Sequence, residues 1–306
     1  MRTHLRALIL CALVLFGGLG GHTAQEEPAE DPATQQMDRF TMAGYASDGI
    51  KKWELEGTGA NLEGSVVTIS RPDGIGYDVS DSVPPAPTSA LGGPGTQTAP
   101  SRTAYLTASL AQMEQDSRRV RMEHDVTIHT SDGLWLASPL LYWLPDRQEL
   151  TTEQPVRLET DQMLLRARGA TGHTTLKQAV FLRDIELVFS SEAGKPMFAA
   201  GPPGAPAGGA RRHVIITCDG PLTFDYTRDI ATFTQNVHVK DGDSDLYSDT
   251  LVAHLEQRTR TIRYAEALGH VHITQGPHTA HGKRAVYEPR DSRVTLLGAP
   301  SLMVYP

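Results

Sequence analysis

The stretch LEQRTRTIRY at 255–264, followed by GHVHI at 269–273, decides the fold because it recurs. Some thirty residues later the chain reads YEPRDSRVTL at 287–296 and then GAPSL at 298–302. In both copies a large apolar residue (Leu255, Tyr287) is followed seven positions on by a β-branched one (Ile262, Val294), in alternation with polar residues. A glycine, Gly269 or Gly298, then precedes a second alternating pair. Alternation with period two is the pattern of a strand with one face buried, and seven residues with a polar centre suit a hairpin. The glycine is expected to turn the chain back into the next strand.

The pattern extends backwards. Phe224 stands seven before Ala231, Trp143 before Leu150, Met113 before Val120 and, more weakly, Gly169 before Leu176, making six copies. In four of them the second apolar pair begins six residues after the first residue (Val126, Val156, Val237, Pro300); in the copies at Leu176 and Ile262 it begins nine after, which implies a longer turn. Turn dipeptides Asp48-Gly49, Asp73-Gly74, Asp132-Gly133 and Asp241-Gly242 punctuate the runs. The stretch 107–121 competes as a helix, but its apolar residues fit a period of two before 3.6, and it reads as strand. A unit of about thirty residues cannot bury its apolar face alone, whereas stacked copies can. A β-solenoid and a meander of antiparallel hairpins folded into two facing sheets both satisfy that requirement. The Asp-Gly turns and the uneven spacing favour the second: an all-β, twisted antiparallel jellyroll or open sandwich built from hairpin repeats, in two modules in series.

With 306 residues, 21% of them charged and a net charge of −8, the chain carries no basic footprint for nucleic acid. Two cysteines, Cys11 and Cys218, make no disulfide framework, and Cys218 reads as a small buried strand residue. Arg2, His4 and Arg6 precede an apolar run to Gly21, so residues 1–24 read as a signal peptide or a membrane anchor, and both fit. Residues 25–38 form an acidic tether. A β-module is expected at 39–190, interrupted by a Pro/Gly-rich insertion at 82–101; a Pro/Gly linker follows at 191–212, and a second β-module at 213–306. Either reading of the N-terminus exports the body of the chain.

The segment FTMAGYASDGIKKWELEGTGA at 40–60 resembles the opening of the periplasmic C component of the lipopolysaccharide export system (LptC-like). LTA at 106–108, Val126, DGL at 132–134 and LYW at 141–143 continue the resemblance to about Phe189. From Ile216 to Leu302 the chain is similar instead to the OstA-type repeat of the A component (LptA), on GHVHI at 269–273, AVY at 285–287 and VTLLGAP at 294–300. The resemblance implies β-jellyroll modules whose sheets enclose an apolar groove for lipopolysaccharide acyl chains. It also implies edge-to-edge stacking with other such modules and with an inner-membrane ABC transporter, in the periplasm. The insertion at 82–101 and the union of both modules in one chain depart from the family pattern.

Motifs for a phosphate loop, a nucleophile elbow, paired cysteines or a zincin helix are missing from the sequence, so no enzyme chemistry and no cofactor are expected. His270, His272, His278 and His281 cluster without a carboxylate or cysteine at ligand spacing, and Asp241, Asp243 and Asp245 begin like a calcium loop that ends on Val252 rather than Glu. A solvated face and a polar hairpin tip account for them, and no metal site is expected. Glu54 and Glu56 read as an outer face; Arg118, Arg119 and Arg121 suit a solvated edge or lipid phosphates. The alternation gathers Val120, Met122, Val126, Leu150, Val156, Phe181, Ile185, Phe233, Val237, Ile262, Tyr264, Val271 and Leu296 on one face. They would line a lipid groove or fill a closed core. The corresponding functions are a non-enzymatic bridge passing lipopolysaccharide towards the outer membrane, and a structural β-repeat that holds envelope partners by edge-strand addition.

Overall fold

A computed structural model describes residues 35–304, apart from 46–48, 50, 78–102, 132, 145–146, 148, 174–177, 192–211, 257–261, 290 and 292. The signal or anchor segment, nearly all of the tether, the 82–101 insertion and almost all of the 191–212 linker lie outside the described residues. Among those residues, no helix is long and apolar enough to cross a membrane.

Among the described residues nineteen strands make one antiparallel sheet. They are β1 (Gln35–Tyr45), β2 (Lys51–Glu63), β3 (Val66–Ser70), β4 (Asp73–Gly76), β5 (Ala104–Thr107), β6 (Leu110–Glu114), β7 (Val120–Thr130), β8 (Trp135–Leu144) and β9 (Glu149–Glu159). Then follow β10 (Met163–His173), β11 (Gln178–Ser191), β12 (Arg212–Cys218), β13 (Leu222–Asp225), β14 (Ile230–Asp241) and β15 (Ser244–Leu255). The last four are β16 (Ile262–Gln275), β17 (His278–Glu288), β18 (Arg293–Leu297) and β19 (Ser301–Met303). Four pairs of short strands share a row: β3 with β4, β5 with β6, β12 with β13 and β18 with β19. Row by row, each pairs with the rows before and after it in sequence. The sheet is therefore a meander from β1 to β18/β19, the order that short hairpin connections impose. It crosses the linker without a break, because β11 pairs with both β12 and β13.

The hairpins expected from the sevenfold spacing are present at atomic register. Met113 and Val120, Trp143 and Leu150, Phe224 and Ala231, Leu255 and Ile262, and Tyr287 and Val294 are each direct cross-strand partners. Leu176 lies outside the described residues. The second alternating pair is a different matter. Gly269 does not return the chain into a new strand; β16 runs straight through it, and its hydrogen-bond ladders skip at that point. Gly269 and His270 are left-handed, with φ of 75° and 42°, and they bend the strand instead. Asp73-Gly74 likewise lies within β4 rather than in a turn, while Asp241-Gly242 forms the β14–β15 hairpin with Gly242 at φ 59°.

Such bends recur in row after row. Arg39 in β1, Arg71 between β3 and β4, His124 and Asp125 in β7, and Gly169 in β10 have positive φ. So do Asp184 in β11, Gln235 and Asn236 in β14, and Gly298 and Ala299 between β18 and β19. These residues, in about every second row, line up with the ladder skips and strand breaks of the rows between them as one seam across the sheet, with two arms to a row. The six-residue and nine-residue spacings of the sequence are thus distances across the seam along one strand. Folding at the seam lays the two half-sheets face to face, so that each covers the other where the described residues offer no helix layer. Ser138, Thr152 and Ser248, all buried, sit at the seam and satisfy carbonyls that the bends release: Ser138 donates to Leu140 O at 2.9 Å, Thr152 to the same oxygen at 2.6 Å, and Ser248 to Thr250 O at 3.1 Å.

Two apolar clusters fill the space between the half-sheets. The larger spans β9 to β17 and includes Val156, Leu165, Phe181, Ile216, Leu222, Phe233, Val239, Leu246 and Val271. The smaller is built on Ile69, Ala111, Met122, Val126 and Leu141. Their division does not coincide with the linker. It falls at β8 and β9, where pairing skips from Ala137 to Tyr142 and the Ser138 and Thr152 hydroxyls, 3.5 Å apart, occupy the interior.

Candidate functional site

The space between the half-sheets is filled by apolar side chains, and distance from the seam decides their exposure. Met122, Val126, Val156, Phe181, Ile185, Phe233, Val237 and Val271 flank the seam and are 0–3% exposed. Val120, Leu150 and Ile262 stand at the hairpin tips, and Leu296 in the terminal row; all four are half-buried against the clusters. These residues thus lie inward, divided between the two clusters, deep beside the seam and shallower at the tips. Tyr264 is the exception. Leu255 pairs with Ile262 and His254 with Tyr264, so Arg263 is the extra residue of a bulge and reverses the alternation. Tyr264 therefore lies on the outer face, its ring stacked on His254 at 4.0 Å, beside a polar hollow of about 650 Å³ shared with Glu256, Glu288 and Asp291.

The inner lining is graded in size. Ala231, Ala253, Ala265, Ala267 and Ala285 occupy the first arms and their hairpin partners in β14 to β17, opposite larger residues of the other half-sheet such as Val239, Leu246 and Ile273. Small residues on one side call for larger ones on the other, since side chains of both sheets must together fill a gap of about 10 Å.

Polar groups expected on the surface are mostly there. His238 Nε2 meets Asp245 Oδ1 at 2.7 Å, and the rings of His238, Tyr247, His272 and His281 stack along consecutive rows of the outer face. Among the described residues no group of three or more potential ligands could hold a metal ion. Glu54 pairs with Lys51 at 3.1 Å and accepts a hydrogen bond from Tyr77 at 3.2 Å; its bond with Lys51 raises that ammonium. Burial, then the Glu54 bond, raises the Tyr77 phenol. Arg119 lies over the Tyr142 ring at 4.1 Å and Arg121 pairs with Glu123 at 2.5 Å, so two members of the basic cluster are already engaged. Cys218 is buried, donates to Gly220 O at 3.3 Å, and burial pushes its thiol up to about 11.

Asp241 departs from the expected solvated tip. It is 2% exposed, on the inner face in step with Val237 and Val239. That parity was visible in the sequence, but the Asp-Gly dipeptide masked it by marking a turn. Tyr287 of the facing half-sheet is also buried; its phenol is raised to about 12 by burial first and by the charge of Asp241 second.

Comparison with known families follows the order read from the sequence, although the first match begins at 87, within the stretch read as an insertion, and does not reach 40–60. Residues 87–189 match the model of the lipopolysaccharide-assembly, LptC-related family, and residues 220–303 match that of the LptA/(LptD N-terminal domain) LPS transport protein family. No curated protein matches the chain. Among the described residues one continuous β-sheet thus carries a stretch similar to the LptC-related family followed by a stretch similar to the LptA/(LptD N-terminal domain) family.

Proposed function

We propose that this chain is a non-enzymatic periplasmic bridge protein of lipopolysaccharide transport that holds acyl chains between its half-sheets and hands them along the row of strands towards the outer membrane. The observation that carries this reading is the apolar cluster running from β9 to β17: it joins residues of both family-matched segments across the linker. A ligand held against Phe181 or Ile185 could move to Phe233 and Ile262 without leaving an apolar lining. Entry is by a mouth at the hairpin tips. Half-buried Leu150 and Ile262 are the first apolar groups a chain meets, and parting the tips opens a slot towards Phe233 and Val237. Each CH₂ that enters gains about 0.8 kcal/mol, so a long acyl chain offsets the packing given up when the tips part. Passive transfer of this kind needs no catalytic group.

The terminal rows supply the partner surface. β18 and β19 end the sheet with exposed Leu297, Leu302, Met303 and Val304, and β1 ends it on the other side with exposed Met37 and Tyr45. Unpaired, apolar edges are templates for strand addition by another β-module or by the periplasmic part of an inner-membrane ABC transporter. These edges also favour a second reading, a structural repeat that binds partners and carries no lipid, to which the tightly closed seam is equally suited.

Photocrosslinking in cells separates the two. A photoreactive residue at Ile262 or Phe233 is expected to give lipopolysaccharide adducts, and one at Leu302 protein adducts. Protein adducts at Leu302 with no lipopolysaccharide at either inner position would overturn the bridge reading in favour of the structural one.

A further inference from the structure

The outer face of the half-sheet that holds β3 and β6 carries a file of polar side chains. Ala60, Ile69, Ala111, Met122 and Leu141 point inward and are buried, so their chain neighbours Asn61, Thr68, Gln112, Arg121 and Tyr142 point outward. Each of these five is the direct cross-strand partner of the next, through β2, β3, β6, β7 and β8. Adjacent strands stand about 4.8 Å apart, so the file is evenly spaced and about 19 Å long. It ends where the hydroxyls of Thr151 in β9 and Thr171 in β10 satisfy each other at 3.1 Å. Within the file, Asn61 Oδ1 is buried with no hydrogen-bond partner, a costly state unless a ligand supplies a donor. Beside it lies a hollow of about 240 Å³ lined by Val66, Gln112, Glu114, Arg119, Arg121 and Tyr142. Arg119 lies over the Tyr142 ring at 4.1 Å and Arg121 pairs with Glu123, contacts that leave each guanidinium with N–H groups to spare.

We infer that this file binds an extended glycan, a β-1,4-linked chain of hexoses bearing acetamido groups, on the side of the sheet away from the apolar interior. The amides of Asn61 and Gln112 and the hydroxyls of Thr68 and Tyr142 both donate and accept, as sugar hydroxyls and acetamides do. Charge points the same way. Glu123 balances Arg121, and Glu114 stands in the hollow with Arg119, so little net charge is left to draw a phosphate or a nucleic acid. A peptide that adds to a sheet needs the free backbone groups of an edge, and here the ladders on both sides already use them. Val66 offers the apolar contact that the C–H face of a pyranose takes. A β-1,4-linked chain is a straight ribbon whose units advance by a length close to the strand spacing, so successive sugars meet successive strands; an α-1,4-linked chain coils away from a straight file. What fills the interior has no bearing on this site, because file and interior lie on opposite sides of the sheet.

Calorimetric titration of the purified full chain with chitohexaose and with maltohexaose tests the site. Chitohexaose is expected to bind, and maltohexaose on the order of tenfold more weakly, as one or two net hydrogen bonds would give. Asn61→Ala, Gln112→Ala and Tyr142→Phe should each weaken chitohexaose by about two- to tenfold, the loss of one hydrogen bond. Thr217→Ala, on the outer face of β12 and away from the file, should leave binding unchanged. Urea midpoints separate a lost contact from a lost fold; where the alanine variants prove unstable, Tyr142→Phe decides, because it keeps the ring beneath Arg119 and removes only the hydroxyl. Absence of chitohexaose binding at millimolar concentration, equal affinity for the two sugars, or full affinity in the Asn61 and Tyr142 variants would each overturn the assignment.

Discussion

Replacing Gly269 by alanine tests the seam, because two separable costs meet there. The residue has φ of 75°, and an alanine in that region loses about 1–2 kcal/mol. An added Cβ would also lie 2.1 Å from Asp249 Oδ2 and 2.8 Å from its Cγ. Asp249 is held by His270 at 2.8 Å, both largely exposed, so its carboxylate can swing away; the lost ion pair matters little, and the displaced rotamer costs about 1 kcal/mol. The sum is about 2–3 kcal/mol. Gly276 is the control: it has φ of 54° and open space where its Cβ would be, so Gly276→Ala bears only the conformational cost. Urea unfolding should therefore show a lower midpoint for Gly269→Ala than for Gly276→Ala, by about 1 kcal/mol at unchanged slope. In an Asp249→Ala background that excess should vanish. Equal costs at the two glycines, or an excess that survives removal of Asp249, would refute the seam as a built joint between β15 and β16.

Phe233→Ala, at 1% exposure beside the seam, should cost about 3–5 kcal/mol in denaturant, and Ile262→Ala at the half-buried mouth clearly less; equal losses would mean that depth in the slot does not govern stability. Stability should fall in alkali. Tyr287 and Cys218, raised to about 12 and about 11, bind protons more tightly folded than unfolded, so their contributions are intact below about pH 9 and are lost as pH rises through those values. Tyr287→Phe should flatten that decline above pH 10, and an unaltered pH profile would contradict the assignment. Cys218 should resist a thiol reagent in the native state at neutral pH and react on unfolding; labelling at the rate of a free thiol would show the interior to be open.

How much of this was legible follows from what local sequence can encode. The hairpins were legible because register and spacing are local: seven residues from Phe224 to Ala231 bring two apolar side chains opposite each other in any tight antiparallel turn. The seam was not, because its residues look like ordinary turn formers. Gln235-Asn236, His124-Asp125 and Gly269-His270 tolerate left-handed φ, and nothing local says whether such a pair reverses a strand or only bends it. Of the residues gathered by alternation, Tyr264 alone lies on the outer face, where a bulge at Arg263 inserts one position between partners. Depth along that face was illegible, since Val120 and Val126 are alike in sequence and differ only in distance from the seam.

The placement of the polar interior bears on how the two matched segments work together. Residues 87–189 and 220–303 meet different families, which invites a division at the 191–212 linker. The interior is divided elsewhere. Val156, Leu165, Phe181 and Ile185, on the LptC-related side, pack in one cluster with Val214, Leu222 and Phe233 beyond the linker, and β11 hydrogen-bonds to both β12 and β13. The interruption comes earlier, where Ser138 and Thr152 place hydroxyls between Val126 and Val156. Under the proposed bridge function, an acyl chain at that point would meet two hydroxyls that already serve the Leu140 carbonyl, and would gain nothing there. Among the described residues the apolar interior from β9 to β17 is therefore the longer uninterrupted one, and it is the part to which the proposed bridge function assigns the chain. The rows before it form a second compartment, separated by a polar step of one strand's width.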